Sequence, residues 1–193
     1  VRNSSAYLDG VDTAIHGGTA DALRMVFEAR PHATVEPRAY ARAGRRADRS
    51  MIELVLEHAA RRGDTGAIDS VLCGVAFNGD AELARWLLDA GGDPSPALPE
   101  AARAGQREIV EMLLNGGADP NRGSSSEPTA LFAVWGDPEI ARLILEAGVD
   151  LDATMDGTTA LAYFAQTSQP HYVQVLLEYG ADPRTPNPVS YTH

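Results

Sequence analysis

The chain has 193 residues, a formal net charge of −11, 44% hydrophobic residues and 6% aromatic residues. The hydrophobic share is enough for a buried core, and the low aromatic share indicates that this core is built from small and aliphatic side chains. The acidic balance argues against nucleic acid as a partner, no apolar stretch is long enough to span a membrane, and the single cysteine excludes an internal disulfide.

An apolar pair recurs six times along the chain and indicates an internal repeat. The steps between successive pairs are 29, 32, 26, 31 and 32 residues. Such a period is typical of stacked repeat architectures. The six pairs are Val26-Phe27, Val55-Leu56, Leu87-Leu88, Leu113-Leu114, Ile144-Leu145 and Leu176-Leu177.

The first third of the chain carries the weakest copies. "GGTADALRMVFEA" (17–29) and "DRSMIELVLEH" (48–58) predict degenerate helices at the apolar pairs. Residues 38–62 also hold seven Arg against three acidic side chains. This cluster is either a solvated helix face or a patch that attracts an acidic segment, with Arg42, Arg45 and Arg46 as its centre.

The later copies predict clear helices over 80–90, 106–116 and 137–147, with Trp86 in a core position. Asp137 is expected to cap the third of these, with Pro138 at its first position. A glycine follows each of the last four apolar pairs and fits a left-handed helix end. These glycines are Gly91, Gly117, Gly148 and Gly180.

A shorter helix, rich in small residues, is predicted before several of the helices that carry the apolar pairs. The segments are "SVLCGVAFNG" (70–79), "PALPEAARAG" (96–105) and "TALAYFAQTS" (159–168), which align without gaps. Small residues let two helices pack closely. Each unit is therefore predicted to consist of a helix, a tight turn, a second helix and a Gly-Ala-Asp turn.

These units resemble the ankyrin repeat, a β-turn followed by two helices. "GTTALAYFA" (157–165) is similar to the opening of that repeat, "TALF" (129–132) is a second copy, and "GADPN" (117–121) resembles its turn into a projecting β-turn finger. The resemblance is strong over 66–183 and weaker over 8–65. It implies a mainly α fold, an ankyrin-repeat solenoid of stacked helix-turn-helix units with short fingers.

We expect one ankyrin-repeat domain over residues 1–193, with irregular units. The short 26-residue step predicts that the finger is missing at "GGDPSPALP" (91–99), and two residues are missing from the first helix of the fifth unit. The finger tip at 123–126 is expected to be flexible. The six units span about 8–34, 35–64, 65–94, 95–121, 122–152 and 153–183, followed by a tail over 184–193 that forms either a terminal finger or an end without a capping repeat.

The chain contains no recognisable catalytic motif, so an enzyme is not the first expectation. No histidine pair has metal-ligand spacing, and we expect neither a metal nor a cofactor. Asp12 and His16, four residues apart on a predicted helix, are the one weak acid–base candidate, and an ordinary surface pair is the alternative. Cys73 is expected to be a small buried hydrophobic residue rather than a nucleophile.

The resemblance implies a concave groove formed by first helices and fingers, and a protein or peptide as partner. The expected binding residues lie about two positions before the turn between the helices of each unit, with an alignment gap for the last two. They are His16, Arg45, Phe77, Arg103, Trp135 and Gln166.

Two further readings stay open. The chain could be a small-molecule-binding protein or an enzyme with a pocket near His16, Arg45 and Phe77, or an interaction fragment of a longer protein. The acidic later units favour a basic partner. We expect neither nucleic acid nor membrane binding, and an intracellular, cytoplasmic location.

Overall fold

A computed structural model describes residues 5–122 and 129–184, and side chains from residue 10 onward. The finger tip predicted at 123–126 and nearly all of the tail predicted at 184–193 lie outside the described residues. The chain divides into two compact units, each larger than one of the predicted repeats. We call them unit 1 (Val1–Ala97) and unit 2 (Leu98–His193).

Unit 1 consists of three helix pairs followed by a 3₁₀ turn. Within each pair the two helices pack on each other, and α3 also packs on α1 and α5. Its elements are α1 (Ser5–Gly17), α2 (Ala20–Ala29), α3 (Pro37–Arg46), α4 (Arg49–Arg62), α5 (Ala67–Asn78), α6 (Ala81–Asp89) and the 3₁₀ turn Ser95–Ala97.

Short polar side chains begin the second helix of each pair in unit 1. Thr19 Oγ1 accepts a hydrogen bond from the Ala22 amide at 3.2 Å, which satisfies one of the amides left open at the start of α2. Asp48 Oδ1 does the same for Met51 at 3.2 Å. Asp80 Oδ1 accepts from Leu83 at 3.0 Å. The helix starts are therefore fixed by local chemistry as well as by packing.

The helices α3 and α5 approach each other until their backbones touch. A Cβ atom placed on Gly74 would lie 1.8 Å from the Ala41 carbonyl oxygen, and one on Gly44 would lie 2.1 Å from the Val71 carbonyl oxygen. Contacts this short exclude any side chain at either glycine. Glycine is therefore required here for close packing, although it is otherwise unfavourable inside a helix.

The loop between α2 and α3 is fastened by a buried histidine. His58 is 1% exposed and stacks on the ring of Phe27, with 3.8 Å between ring centroids. Its Nε2 atom lies 2.8 Å from the Ala33 carbonyl oxygen. The buried ring thus has a polar partner, as buried polar groups require.

Unit 2 contains three helix pairs and a β-hairpin within the described residues. Its elements are α7 (Leu98–Arg103), α8 (Arg107–Asn115), α9 (Ala130–Ala133), α10 (Pro138–Glu146), β1 (Thr154–Met155), β2 (Thr158–Thr159), α11 (Ala160–Gln166) and α12 (Pro170–Glu178). The mainly α fold class is confirmed, because the described residues form twelve α-helices and one two-stranded sheet.

The hairpin is the finger that the sequence predicts before α11. Thr154 pairs with Thr159 and Met155 with Thr158 in antiparallel register. The two residues between the strands, Asp156 (φ 52°) and Gly157 (φ 77°), are both left-handed. Two such residues give the tight turn that matches the twist of a hairpin.

The turns after the second helices of unit 2 follow the predicted pattern. Gly117, Gly148 and Gly180 have φ angles of 87°, 85° and 91°, which confirms the left-handed helix ends. The aspartate two residues later then folds the chain again, since Asp119 Oδ1 accepts from the Asn121 amide at 2.9 Å. Asn121 in turn accepts from the Asp150 amide at 2.7 Å and so joins two successive turns.

Two residues of unit 1 differ from the sequence prediction. Trp86, placed in the core by its spacing, is half-buried, with the Arg49 guanidinium 4.8 Å from its ring centroid. Cys73, predicted to be buried, is also half-buried.

The short spacing predicted a missing finger at 91–99. Residues 95–97 form the 3₁₀ turn there, and no strand lies among the described residues of this segment.

Candidate binding surfaces at the ends of the inter-helix turns

The three candidate residues of unit 1 lie near the ends of first helices. His16, Arg45 and Phe77 are exposed and come two residues before Gly18, Ala47 and Gly79, respectively. Ala47 and Gly79 are left-handed, with φ angles of 52° and 94°. We call His16, Arg45 and Phe77 the turn-end set of unit 1.

The structure brings Arg45 and Phe77 together. The Arg45 guanidinium carbon lies 4.4 Å from the centroid of the Phe77 ring, within the range of a cation–π interaction. Their helices can place them there because Gly44 and Gly74 let α3 and α5 approach closely. Both residues were predicted from the sequence as binding residues, but their contact was not. The one hint of it is a glycine one residue before Arg45 and another three residues before Phe77.

The other arginines near Arg45 are bound by unit 1 itself. Arg42 forms an ion pair with Asp12 of α1, with about a third of each side chain exposed. Arg46 Nη1 donates to the carbonyl oxygens of Ile15, at 3.1 Å, and His16, at 2.8 Å. These carbonyls lie at the end of α1, where a cation is favourable. Arg42 and Arg46 therefore join α3 to α1.

These contacts bear on the acid–base candidate, Asp12 with His16. The partner of the Asp12 carboxylate is Arg42, while the His16 side chain is exposed and its backbone carbonyl receives Arg46. A cavity of about 40 Å³ lies beside Asp12, and its walls include Thr34, Glu36 and Arg38 but not His16. Asp12 and Arg42 thus have the arrangement of a structural ion pair.

The candidate residues of unit 2 are exposed at the corresponding turns. Arg103 and Gln166 end α7 and α11 and lie two residues before the left-handed Gly105 (φ 71°) and Ser168 (φ 57°). Arg103 Nη1 is 2.8 Å from Glu100 Oε1. Together with Trp135, these residues form the turn-end set of unit 2.

Trp135 reaches the surface in a different way from the other candidates. It comes only one residue before the left-handed Gly136 (φ 85°), because α9 is only four residues long and the buried Val134 is extended. Val134 therefore takes the position that Arg103 and Gln166 occupy in their turns. Trp135 is displaced outward and is 65% exposed.

The Trp135 backbone lies beside Gly105 and leads into α10. Its carbonyl oxygen lies 3.9 Å from where a Cβ atom of Gly105 would be. Asp137 Oδ1 accepts from the Glu139 amide at 2.9 Å and begins α10, as predicted. The nearby Tyr172 hydroxyl is fully buried, and burial, followed by the charge of Asp137, raises the pKa of this hydroxyl.

The described part of the chain brings no three His, Cys, Asp or Glu side chains together as a possible metal site. Among residues 5–122 and 129–184, no helix is both long and apolar enough to cross a membrane.

Comparisons with known proteins agree with the repeat pattern. A family model for ankyrin repeats, in three copies, matches residues 98–187. The chain is 31% identical over 122 residues to ankyrin repeat and KH domain-containing protein mask-1 of Caenorhabditis elegans, covering 61% of this chain and 5% of that protein. It is 35% identical over 81 residues to the transient receptor potential channel pyrexia of Drosophila melanogaster, covering 40% and 8%.

A bacterial relative shares a larger part of its length. A putative ankyrin repeat-containing protein of Treponema pallidum (strain Nichols) is 33% identical over 108 residues, covering 54% of this chain and 36% of that protein. The chain therefore corresponds to a minor part of each of these relatives, and their similarity to it concerns the repeats.

Proposed function

We propose that this chain, whose residues 98–187 match a family model for ankyrin repeats, is a binding module for a protein or peptide and that the turn-end sets of the two units make the contact. Ankyrin repeats are generally protein–protein interaction modules. The proposal for this chain adds the residues: His16, Arg45 and Phe77 in unit 1, and Arg103, Trp135 and Gln166 in unit 2.

The observation that carries the proposal is the exposure of these side chains at helix ends whose backbone is fixed. Both sets combine an aromatic ring with an arginine, and aromatic and arginine side chains are enriched among residues that dominate binding energy. Left-handed residues stand in the turns beside all of them except His16: these are Ala47, Gly79, Gly105, Gly136 and Ser168. A surface fixed before binding loses little conformational entropy when a partner arrives.

The small-molecule alternative is less well supported by the geometry. Pockets for small ligands usually enclose several hundred Å³ and bury most of the ligand. The cavity beside Asp12 has a volume of about 40 Å³. The larger depression beside Gly17 and Gly18, of about 660 Å³, is wide open to solvent, and none of His16, Arg45 and Phe77 is among its lining residues. Arg45 and Phe77 stack on each other at an exposed surface. Asp12, half of the acid–base candidate predicted from the sequence, is already paired with Arg42.

Photo-crosslinking tests this proposal. Benzoylphenylalanine would replace Phe77 or Gln166 in the full chain, and crosslinked proteins would be identified by mass spectrometry. Met25 and Leu177, which are exposed on the second helices α2 and α12, are the matched control positions.

We expect Phe77 and Gln166 to capture a common protein that Met25 and Leu177 do not capture. Equal capture at the control positions, or none at Phe77 and Gln166, would contradict the proposal.

A further inference from the structure

Among the described residues of unit 1, two aromatic side chains lie beneath an arginine and show how this protein covers a partly exposed ring. Arg45 lies over Phe77 with 4.4 Å to the ring centroid, and Arg49 lies over Trp86 with 4.8 Å. In both cases an arginine from one helix pair meets an aromatic ring from the next. The negative face of each ring is thus matched by a cation of the same chain.

Trp135 in unit 2 has a more exposed ring without such a cover. It is 65% exposed, compared with 37% for Phe77. Within residues 5–122 and 129–184, no arginine lies over the Trp135 ring. Tryptophan gives the strongest cation–π attraction of the three aromatic residues, so this ring is the better site for a cation from another molecule.

The charges around Trp135 favour a cation. The arginines of α7, α8 and α10 are each paired with a glutamate: Arg103 with Glu100 at 2.8 Å, Arg107 with Glu111 at 3.0 Å and Arg142 with Glu178 at 2.8 Å. Asp137 lies two residues after Trp135 and adds a negative charge. Among the described residues, no arginine forms an ion pair with it.

The wider surroundings have the same sign. Asp137 is close enough to raise the pKa of both Arg107, after the larger effect of Glu111, and Tyr172, after the larger effect of burial. Residues 98–193 carry 13 acidic side chains against five arginines. Such a field attracts positively charged partners.

We propose that Trp135 is the anchor for a basic segment of the partner protein. An arginine or lysine side chain of that segment stacks on the Trp135 ring, and the Asp137 carboxylate attracts its charge. The contact repeats, between two molecules, the stacking that unit 1 makes within itself. This proposal rests on the proposed function, because it names the kind of partner that the turn-end set of unit 2 binds.

The test uses the full chain and a defined probe, an acetylated and amidated penta-arginine peptide, titrated by calorimetry at low salt. Trp135→Ala should weaken the affinity by roughly tenfold or more, because it removes the stacking surface. Asp137→Asn should weaken it a few-fold, and its asparagine keeps the cap of α10. Trp86→Phe, which alters the other tryptophan, should leave the affinity unchanged.

Several results would overturn the proposal. These are no binding of penta-arginine, an affinity that Trp135→Ala leaves unchanged, or equal binding of a penta-glutamate peptide or an uncharged Gly-Leu-Gly-Leu-Gly peptide. If Gln166 and Phe77 still capture a common protein by crosslinking, the binding function stands and only the basic-segment proposal fails. If they capture none while penta-arginine binds through Trp135, the anchor stands and the wider surface fails.

Discussion

Arg45 and Arg49 lie over aromatic rings in unit 1, whereas the ring of Trp135 in unit 2 is open to solvent. The difference comes from the backbone. In unit 1, Gly44 and Gly74 bring two first helices into direct contact, so that a side chain from one reaches the ring on the other. In unit 2, the short helix α9 ends early and turns its tryptophan outward.

The two units also differ in how their charged residues are paired. The arginines of α3 are used inside unit 1, where Arg42 meets Asp12 and Arg46 caps the end of α1. In unit 2, Arg103, Arg107 and Arg142 pair with glutamates, and the acidic side chains outnumber the arginines. A count of charges on the sequence therefore overstates how attractive unit 1 is to an acidic partner, and describes unit 2 better.

The largest effect is expected at the glycine contact of unit 1. Gly74→Ala places a methyl group where the Ala41 carbonyl oxygen already lies, and should lower the free energy of unfolding by roughly 3 kcal/mol. Chemical denaturation measures this change.

Gly10→Ala is the matched control, since Gly10 also lies inside a helix but a Cβ atom there meets nothing within 4 Å. It should stabilise the protein by up to about 1 kcal/mol. Destabilisation of similar size by both variants would show that helix packing is not the cause.

In unit 2 the corresponding weak point is a hydrogen-bonded turn. Asn121→Ala removes the acceptor of the Asp150 amide and the donor to the Gly148 carbonyl, and should lower the free energy of unfolding by about 1 kcal/mol. Asn115→Ala, at an exposed asparagine at the end of α8, is the control and should change it little. An equal loss in both variants would assign the effect to asparagine content alone.

A buried tyrosine in unit 1 predicts sensitivity to alkaline pH. The Tyr40 hydroxyl has no hydrogen-bond partner at normal geometry, and burial, then the nearby Asp64 carboxylate, raises its pKa. Because the folded-state pKa is the higher one, the folded state favours the protonated hydroxyl. This contribution to stability is present below the ordinary tyrosine pKa of about 10 and is lost as the pH rises above it.

Tyr40→Phe should therefore be at least as stable as the unaltered protein at pH 7, because it removes a buried hydroxyl without a partner, and it should become relatively more stable above pH 10. Thermal unfolding at both pH values measures this. A large loss at pH 7 would mean that the hydroxyl makes a strong hydrogen bond.

The smallest effect is expected at an exposed carboxylate of unit 2. Hydrogen bonds from Gln174 and then Arg142 lower the pKa of Glu178. Since the folded-state pKa is the lower one, its contribution is present above the unfolded-state pKa, near 4, and is lost as the pH falls further. Glu178→Gln should therefore lower the melting temperature slightly at pH 7 but not at pH 3, while Glu108→Gln should change neither.

Local rules explain why much of the fold was predictable. The cap at Asp137 and the left-handed glycines depend on residues within one turn of a helix, so the sequence contains the whole signal. Contacts such as Arg42 with Asp12 join residues 30 positions apart and depend on how the helices align. Trp86 illustrates the limit, because its spacing matched a core position and yet the ring is half-buried beneath Arg49.

For the candidate site, the sequence indicated residues but not their surroundings. Arg45 and Phe77 were named separately, and their stacking depends on the glycines that bring α3 and α5 together. Trp135 was named with an alignment gap, and the early end of α9 explains why its ring is exposed. The use of these residues in binding remains a prediction.

Quenching of tryptophan fluorescence by ions tests the central contrast most directly. Trp86→Phe leaves Trp135 as the only emitter, and Trp135→Phe leaves Trp86. We expect Trp135 to be quenched strongly, and more by caesium than by iodide, because its ring is open and its surroundings are negative. Trp86, half-buried under Arg49, should be quenched less by both ions. A Trp135 that is shielded from both ions, or quenched more by iodide, would contradict this account.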